Sequence, residues 1–141
     1  MTTYRTTMSE ADDDVPSTEL PLTSGSVPLF LSVRDEPGVT VVAVSGELDL
    51  LTSPKLMAEL DDIVRQRTGD AVVDLSEATF MDSFGIHVLV SAHNRLARQS
   101  RKFAVICGRS PVRRTLELTN LTEVLSVTDS YDEYERRRSG G

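Results

Sequence analysis

The run Phe80–Val90, FMDSFGIHVLV, sets one acid, one hydroxyl and one glycine inside an otherwise apolar stretch. Three chemistries suit those residue types: a serine nucleophile, a helix cap and a phosphorylation site. The nucleophile is the weakest. Ser83 and Gly85 supply half of the elbow G-x-S-x-G, but Met81 stands where its first glycine belongs. A serine nucleophile also needs a base, usually a histidine from a later loop. The chain has two histidines, His87 and His93, and both fall on the helical run that follows Ser83. They are six residues apart, about 240° around a helix, so they do not share a metal ion. Glu47, Asp49 and Asp82 converge only if their loops do. Neither G-x-x-x-x-G-K-[ST] nor G-x-G-x-x-G occurs, which leaves no phosphate-cradling loop.

Capping and phosphorylation remain, and they are compatible. Asp82 and Ser83 sit where a loop gives way to helix. Either side chain suits the first free amides of that helix, and capping alone accounts for both residues. A helix N-terminus also carries partial positive charge and free N–H donors. A phosphate there adds about −1.5 to −2 charges and changes the surface without unfolding the helix. That is what a reversible binding switch requires.

The elements that position this stretch are legible from punctuation and period. LFLSVRD and VTVVAVSGELD read as a hairpin around the turn EPG. In TSPKLMAELDDIVRQRTG, Ser53 is expected to cap a helix that Pro54 opens and Gly69 stops. Leu56, Leu60, Ile63 and Val64 share one face at helical spacing. DAVVDLS is a buried strand, with FM closing the loop after it. From Phe84 the period changes: Ile86, Leu89, Val90, His93, Leu96 and Ala97 form a stripe. KFAVIC is the next strand. Ser110 and Pro111 repeat the cap logic, with Val112, Leu116 and Leu118 facing inward. VLSVTD is a last strand and SYDEYERRR a last helix. The order β-β-α-β-α-β-α-β-α predicts an α/β fold: a small, mixed, mostly parallel sheet of about five strands, flanked by about four helices.

The whole chain bounds the function. Its 141 residues suit one domain, with 39% hydrophobic and 26% charged residues and few aromatics, so the core is aliphatic. Residues 1–27 lack period and are expected to be a disordered acidic tail; residues 28–138 form the domain, and 139–141 a flexible end. A net charge of −7 argues against general nucleic-acid binding. Between Arg95 and Arg114, however, seven basic residues stand with no acid. They read as a solvated face or as a patch for an acidic partner. The one cysteine, Cys107, reads as a buried strand thiol. No apolar run spans a membrane and no signal core is evident, so a cytoplasmic location is expected.

Four stretches together resemble the STAS-domain anti-sigma factor antagonists: SGELD (45–49), VVDLSEATFMDSFGIHVL (72–89), FAVICGRSPVRRTLELTNL (103–121) and VTDSYDEY (127–134). The resemblance covers about Leu29 to Arg137. It implies a protein that binds an anti-sigma factor, itself a serine kinase, and so releases a sigma factor. It implies that the kinase phosphorylates Ser83, the serine of a D-S-[ST]-G motif, and that a serine phosphatase reverses this. Asp82 and Gly85 match the flanking motif residues. Asp49 matches the acid of the loop beside the phosphoserine at the partner interface. Phe84 departs from the family, standing where a small Ser or Thr is usual. The resemblance implies no cofactor: ATP and Mg²⁺ belong to the kinase. Two other uses of the fold stay open, a non-switching scaffold in a signalling assembly and a nucleotide- or lipid-sensing module.

Overall fold

The computed structural model describes residues 3–8 and 28–140. A six-stranded sheet runs in the order β1 (Thr3–Met8), β2 (Phe30–Glu36), β3 (Val39–Leu48), β4 (Asp70–Met81), β5 (Phe103–Ile106) and β6 (Val127–Thr128). The first three strands pair antiparallel, and β3 to β6 pair parallel. The parallel connections carry helices α1 (Ser53–Gln66), α2 (Ser83–Ala97) and α3 (Val112–Leu118). Helix α4 (Tyr131–Ser139) closes the chain.

Because the parallel strands follow one another in sequence, same-handed crossovers put α1, α2 and α3 on one face of the sheet. The alternation of side chains along the strands agrees. Leu31, Val33, Val42, Val44, Val73, Leu75 and Val105 pack with Leu56, Leu60 and Ile63 of α1, Leu89 and Leu96 of α2, and Leu116 of α3. The intervening residues Val39, Val41, Val72, Ala104 and Ile106 form a smaller cluster under Tyr134 of α4. Arg34 lies over the Tyr131 ring at 4.8 Å, and an Arg138 Nη donates to the Pro37 carbonyl at 2.9 Å, so cations at both ends pin α4 to the sheet. Cys107 is buried, and burial pushes its thiol up.

The structure departs from the sequence expectations at several points. Residues 3–8 are not unstructured: they form β1, paired to β2 from Thr3↔Asp35 to Met8↔Phe30. TYRTTM is polar, but Thr and Tyr suit a pleated surface, and β2 would otherwise present an open row of backbone groups. The rest of the expected tail, 1–2 and 9–27, lies outside the described residues, as does Gly141; Ser139, expected in the flexible end, closes α4 instead. Ser53 does not cap α1. Thr52 precedes the helix, and the buried Ser53 Oγ has no partner among the described residues. Gly69 does not stop α1, which ends at Gln66. It is small because an added Cβ would stand 2.4 Å from the Gly38 carbonyl oxygen. Two carbonyls of the last turn of α1 are met instead by Arg101, whose guanidinium donates to Ile63 and Val64 at 3.2 and 3.0 Å, and to the Gly69 carbonyl beyond the helix at 2.7 Å. The buried stripe of α2 is Gly85, Val88, Leu89, Ala92 and Leu96, so Ala97 faces solvent. Leu118 is exposed rather than inward. The strand read in VLSVTD keeps only Val127 and Thr128.

Candidate functional site at the ends of β3 and β4

Strand β4 runs past DAVVDLS to Met81, because it stays paired with β3 through two register shifts. Phe80 and Met81, expected in a loop, are therefore strand residues opposite Glu47 and Leu48. This register builds the site. Two parallel neighbours end level at Leu48↔Met81, about 5 Å apart, so Asp49 and Asp82 open adjacent loops. The Asp82 amide donates to the Leu48 carbonyl at 3.1 Å and ties one loop to the other.

Each loop is organised by its own acid. Asp49 Oδ1 accepts from the Leu51 and Thr52 amides at 2.9 and 3.0 Å, and from the Thr52 hydroxyl at 3.1 Å. Its amide donates back to Thr52 Oγ1 at 2.9 Å. This closed turn presents Leu50 and Leu51 to solvent, 57% and 47% exposed. Asp82 Oδ1 accepts from the Phe84 amide at 2.8 Å and the Gly85 amide at 3.4 Å. Asp82, not Ser83, is thus the cap of α2.

Ser83 becomes the first residue of α2. It is exposed, and its hydroxyl has no hydrogen-bond partner among the described residues. Beside it Phe84 projects outward, 47% exposed. Gly85 points the other way and is buried. A Cβ there would meet Met81 Cγ at 2.5 Å and Leu48 Cβ at 3.1 Å, so only glycine lets the first turn of α2 sit down on both strand ends.

The structure therefore brings Asp49, Asp82, Ser83, Phe84 and Gly85 to one end of the sheet. It adds residues that the sequence reading did not single out: Leu50, Leu51 and Phe80, the last 47% exposed at the end of β4. A signal for the leucines was present, since DLL sets two large apolar residues in a loop where neither period places them in the core. The exposed side chains at this end, Leu50, Leu51, Phe80 and Phe84, offer apolar contact beside the Ser83 hydroxyl. His87 is exposed one turn along α2 from Ser83, and His93 keeps a buried Nδ1 with no partner among the described residues. Among the described residues no group of His, Cys, Asp and Glu is arranged to hold a metal ion. No helix of the described residues is long and apolar enough to cross a membrane. The basic run from Arg95 to Arg114 does not gather into one patch. Arg101 is buried, Arg95 pairs with Asp61, and Arg113 reaches Asp129 at 2.5 Å.

Comparison with known proteins places this arrangement. The STAS domain family matches residues 31–134. The anti-sigma-F factor antagonist RsfB of Mycobacterium tuberculosis is 33% identical over 99 residues, covering 70% of this chain and 80% of that protein. An anti-sigma F factor antagonist of Paenibacillus polymyxa is 28% identical over 103 residues, 72% of this chain and 88% of that one. Among solved structures, an anti-sigma factor antagonist from Mycobacterium paratuberculosis superposes with a TM-score of 0.70 at 31% identity, covering 77% of this chain and 93% of that chain. With a STAS match over most of its described length and relatives of that kind in both comparisons, the chain belongs to the STAS-domain family of anti-sigma factor antagonists.

Proposed function

We propose that this chain binds an anti-sigma factor that is also a serine kinase, frees a sigma factor by doing so, and is switched off by phosphorylation of Ser83. The observation that carries the reading is the state of Ser83: an exposed, unbonded hydroxyl at the first position of a helix that Asp82 caps independently. A phosphate can be added to that hydroxyl and removed without unmaking any hydrogen bond of the fold. The relatives named as anti-sigma factor antagonists support the choice of partner.

The docking face comprises the Asp49 turn, with Leu50 and Leu51, together with Asp82, Ser83 and Phe84. Gly85 serves it from beneath by seating the helix. Apolar side chains around Ser83 must lose water when a partner docks, and that loss favours binding. Phosphorylation places about −1.5 to −2 charges among them. Burying that charge without compensation costs several kcal/mol, about a thousandfold or more in affinity. The chain itself is regulatory and not catalytic. ATP and Mg²⁺ act in the kinase, a serine phosphatase restores Ser83, and the location is cytoplasmic, with neither nucleic acid nor membrane bound directly.

Affinity for the cognate anti-sigma factor tests the reading. Ser83→Ala keeps wild-type affinity, and Ser83→Asp weakens it at least tenfold. Equal affinities for both variants contradict the switch and point to a scaffold.

A further inference from the structure

A phosphate on Ser83 raises a local problem of charge. It stands next to Asp82, and the amides of Phe84 and Gly85 at the start of the helix already donate to the Asp82 carboxylate. Two anions side by side repel, so the phosphorylated state calls for another donor, preferably cationic. Helix α2 supplies one. His87 lies four residues after Ser83, and residues at that spacing sit one above the other on a helix, with Cβ atoms about 5–6 Å apart. Helical side chains lean back toward the N-terminus, over the preceding turn. That direction carries the imidazole toward position 83. His87 is exposed, and no hydrogen bond holds it elsewhere among the described residues.

The surroundings favour an anion there. No acidic residue occurs between Asp82 and Glu117. From His87 down the same face, leading away from Ser83, a shallow depression of 280 Å³ is lined by His87, Val90, Ser91, Asn94, Arg95 and Arg98. Of the elements packed against α2, α1 carries the acids Glu59, which is buried, Asp62, which is half-buried, and Asp61. Asp61 of α1 is joined to Arg95 and lies near Arg65, and the Asp49 carboxylate is taken up by the amides of its own turn. Lys55 in the first turn of α1 is a further cation on the side of the Asp49 loop.

We infer that His87 is the residue that holds the phosphoryl group on Ser83: its imidazole N–H donates to a phosphoryl oxygen and offsets the repulsion from Asp82. His87 is a positioning residue for the modified state and has no part in the unmodified fold. This inference rests on the reading of Ser83 as the phosphoacceptor.

The test uses the full chain with phosphoserine installed synthetically at position 83, so that it does not depend on any kinase. The titration of the phosphate is followed by ³¹P NMR in the wild-type background, in His87→Ala and in His87→Gln. A nearby cation favours the dianion, so the phosphate midpoint in the wild-type background lies below that in His87→Ala by about half a unit to one unit. His87→Gln, which donates without charge, falls between. Equal midpoints in all three chains overturn the inference. Natural phosphate found on another residue overturns the reading of Ser83 instead and leaves the midpoint difference in place.

Discussion

Two helices begin at the same end of the sheet, one strand apart, and each start is built from an acid, a hydroxyl residue and a tie to the neighbouring backbone. At α1, Asp49 closes a turn with Thr52, and Ser53 is 2% exposed with an unpartnered hydroxyl. At α2, Asp82 caps the helix directly, and Ser83 faces solvent. The same residue types thus give one sealed serine and one open serine. The difference lies in spacing. Asp82 immediately precedes its serine and leaves it as the first helical residue on the outer face. Asp49 stands four residues ahead of Ser53, and the intervening turn rolls that serine inward while pushing Leu50 and Leu51 out. The start of α2 leaves a serine hydroxyl open to solvent, and that of α1 presents apolar side chains instead.

The largest way to break this pair is to lift α2 off the strand ends. Gly85→Ala forces a Cβ against Met81 and Leu48. It lowers unfolding free energy by about 2–3 kcal/mol, read by denaturant melts, and displaces Ser83 enough to weaken partner binding. Asp82→Ala removes the cap and costs about 1 kcal/mol. A variant as stable as wild type would show that Ser83 takes over the cap and that the two helix starts differ less than their caps suggest. Asp49→Ala opens the turn behind Leu50 and Leu51 and costs about 0.5–1 kcal/mol. Its main effect is on anti-sigma affinity, measured calorimetrically, because the leucines are no longer held. The smallest effect belongs to Ser53→Ala. Removing a buried hydroxyl that bonds to nothing leaves stability within about 0.5 kcal/mol of wild type or raises it. A loss above about 1 kcal/mol would mean that Ser53 has a partner.

From Phe30 onward the order of strands and helices was legible in the sequence, because Val-rich runs alternate with helical stripes and Pro and Gly punctuate them. Asp82, Ser83 and Gly85 were legible as the start of a helix and as a motif. Which residue caps was not, since capping depends on backbone geometry that Ser-Pro at 53–54 imitates without adopting. The length of β4 was hidden because SEATFM loses its alternation where the ladder with β3 shifts register. That hidden extension is what sets Asp49 beside Asp82. Strand β1 was hidden because a short polar strand is defined by the edge it joins and not by its own pattern. Leu50 and Leu51 obey no period, which was the signal that set them outside the core, and the Asp49 turn shows which way they point.

The contrast between the open and the sealed serine is tested most directly by incubating the full chain with the proposed anti-sigma kinase, ATP and Mg²⁺ and mapping the phosphate by mass spectrometry. One phosphate on Ser83, with none on Ser53, is the result expected. Phosphate on Ser17, Thr18 or Ser53, with none on Ser83, would contradict the account.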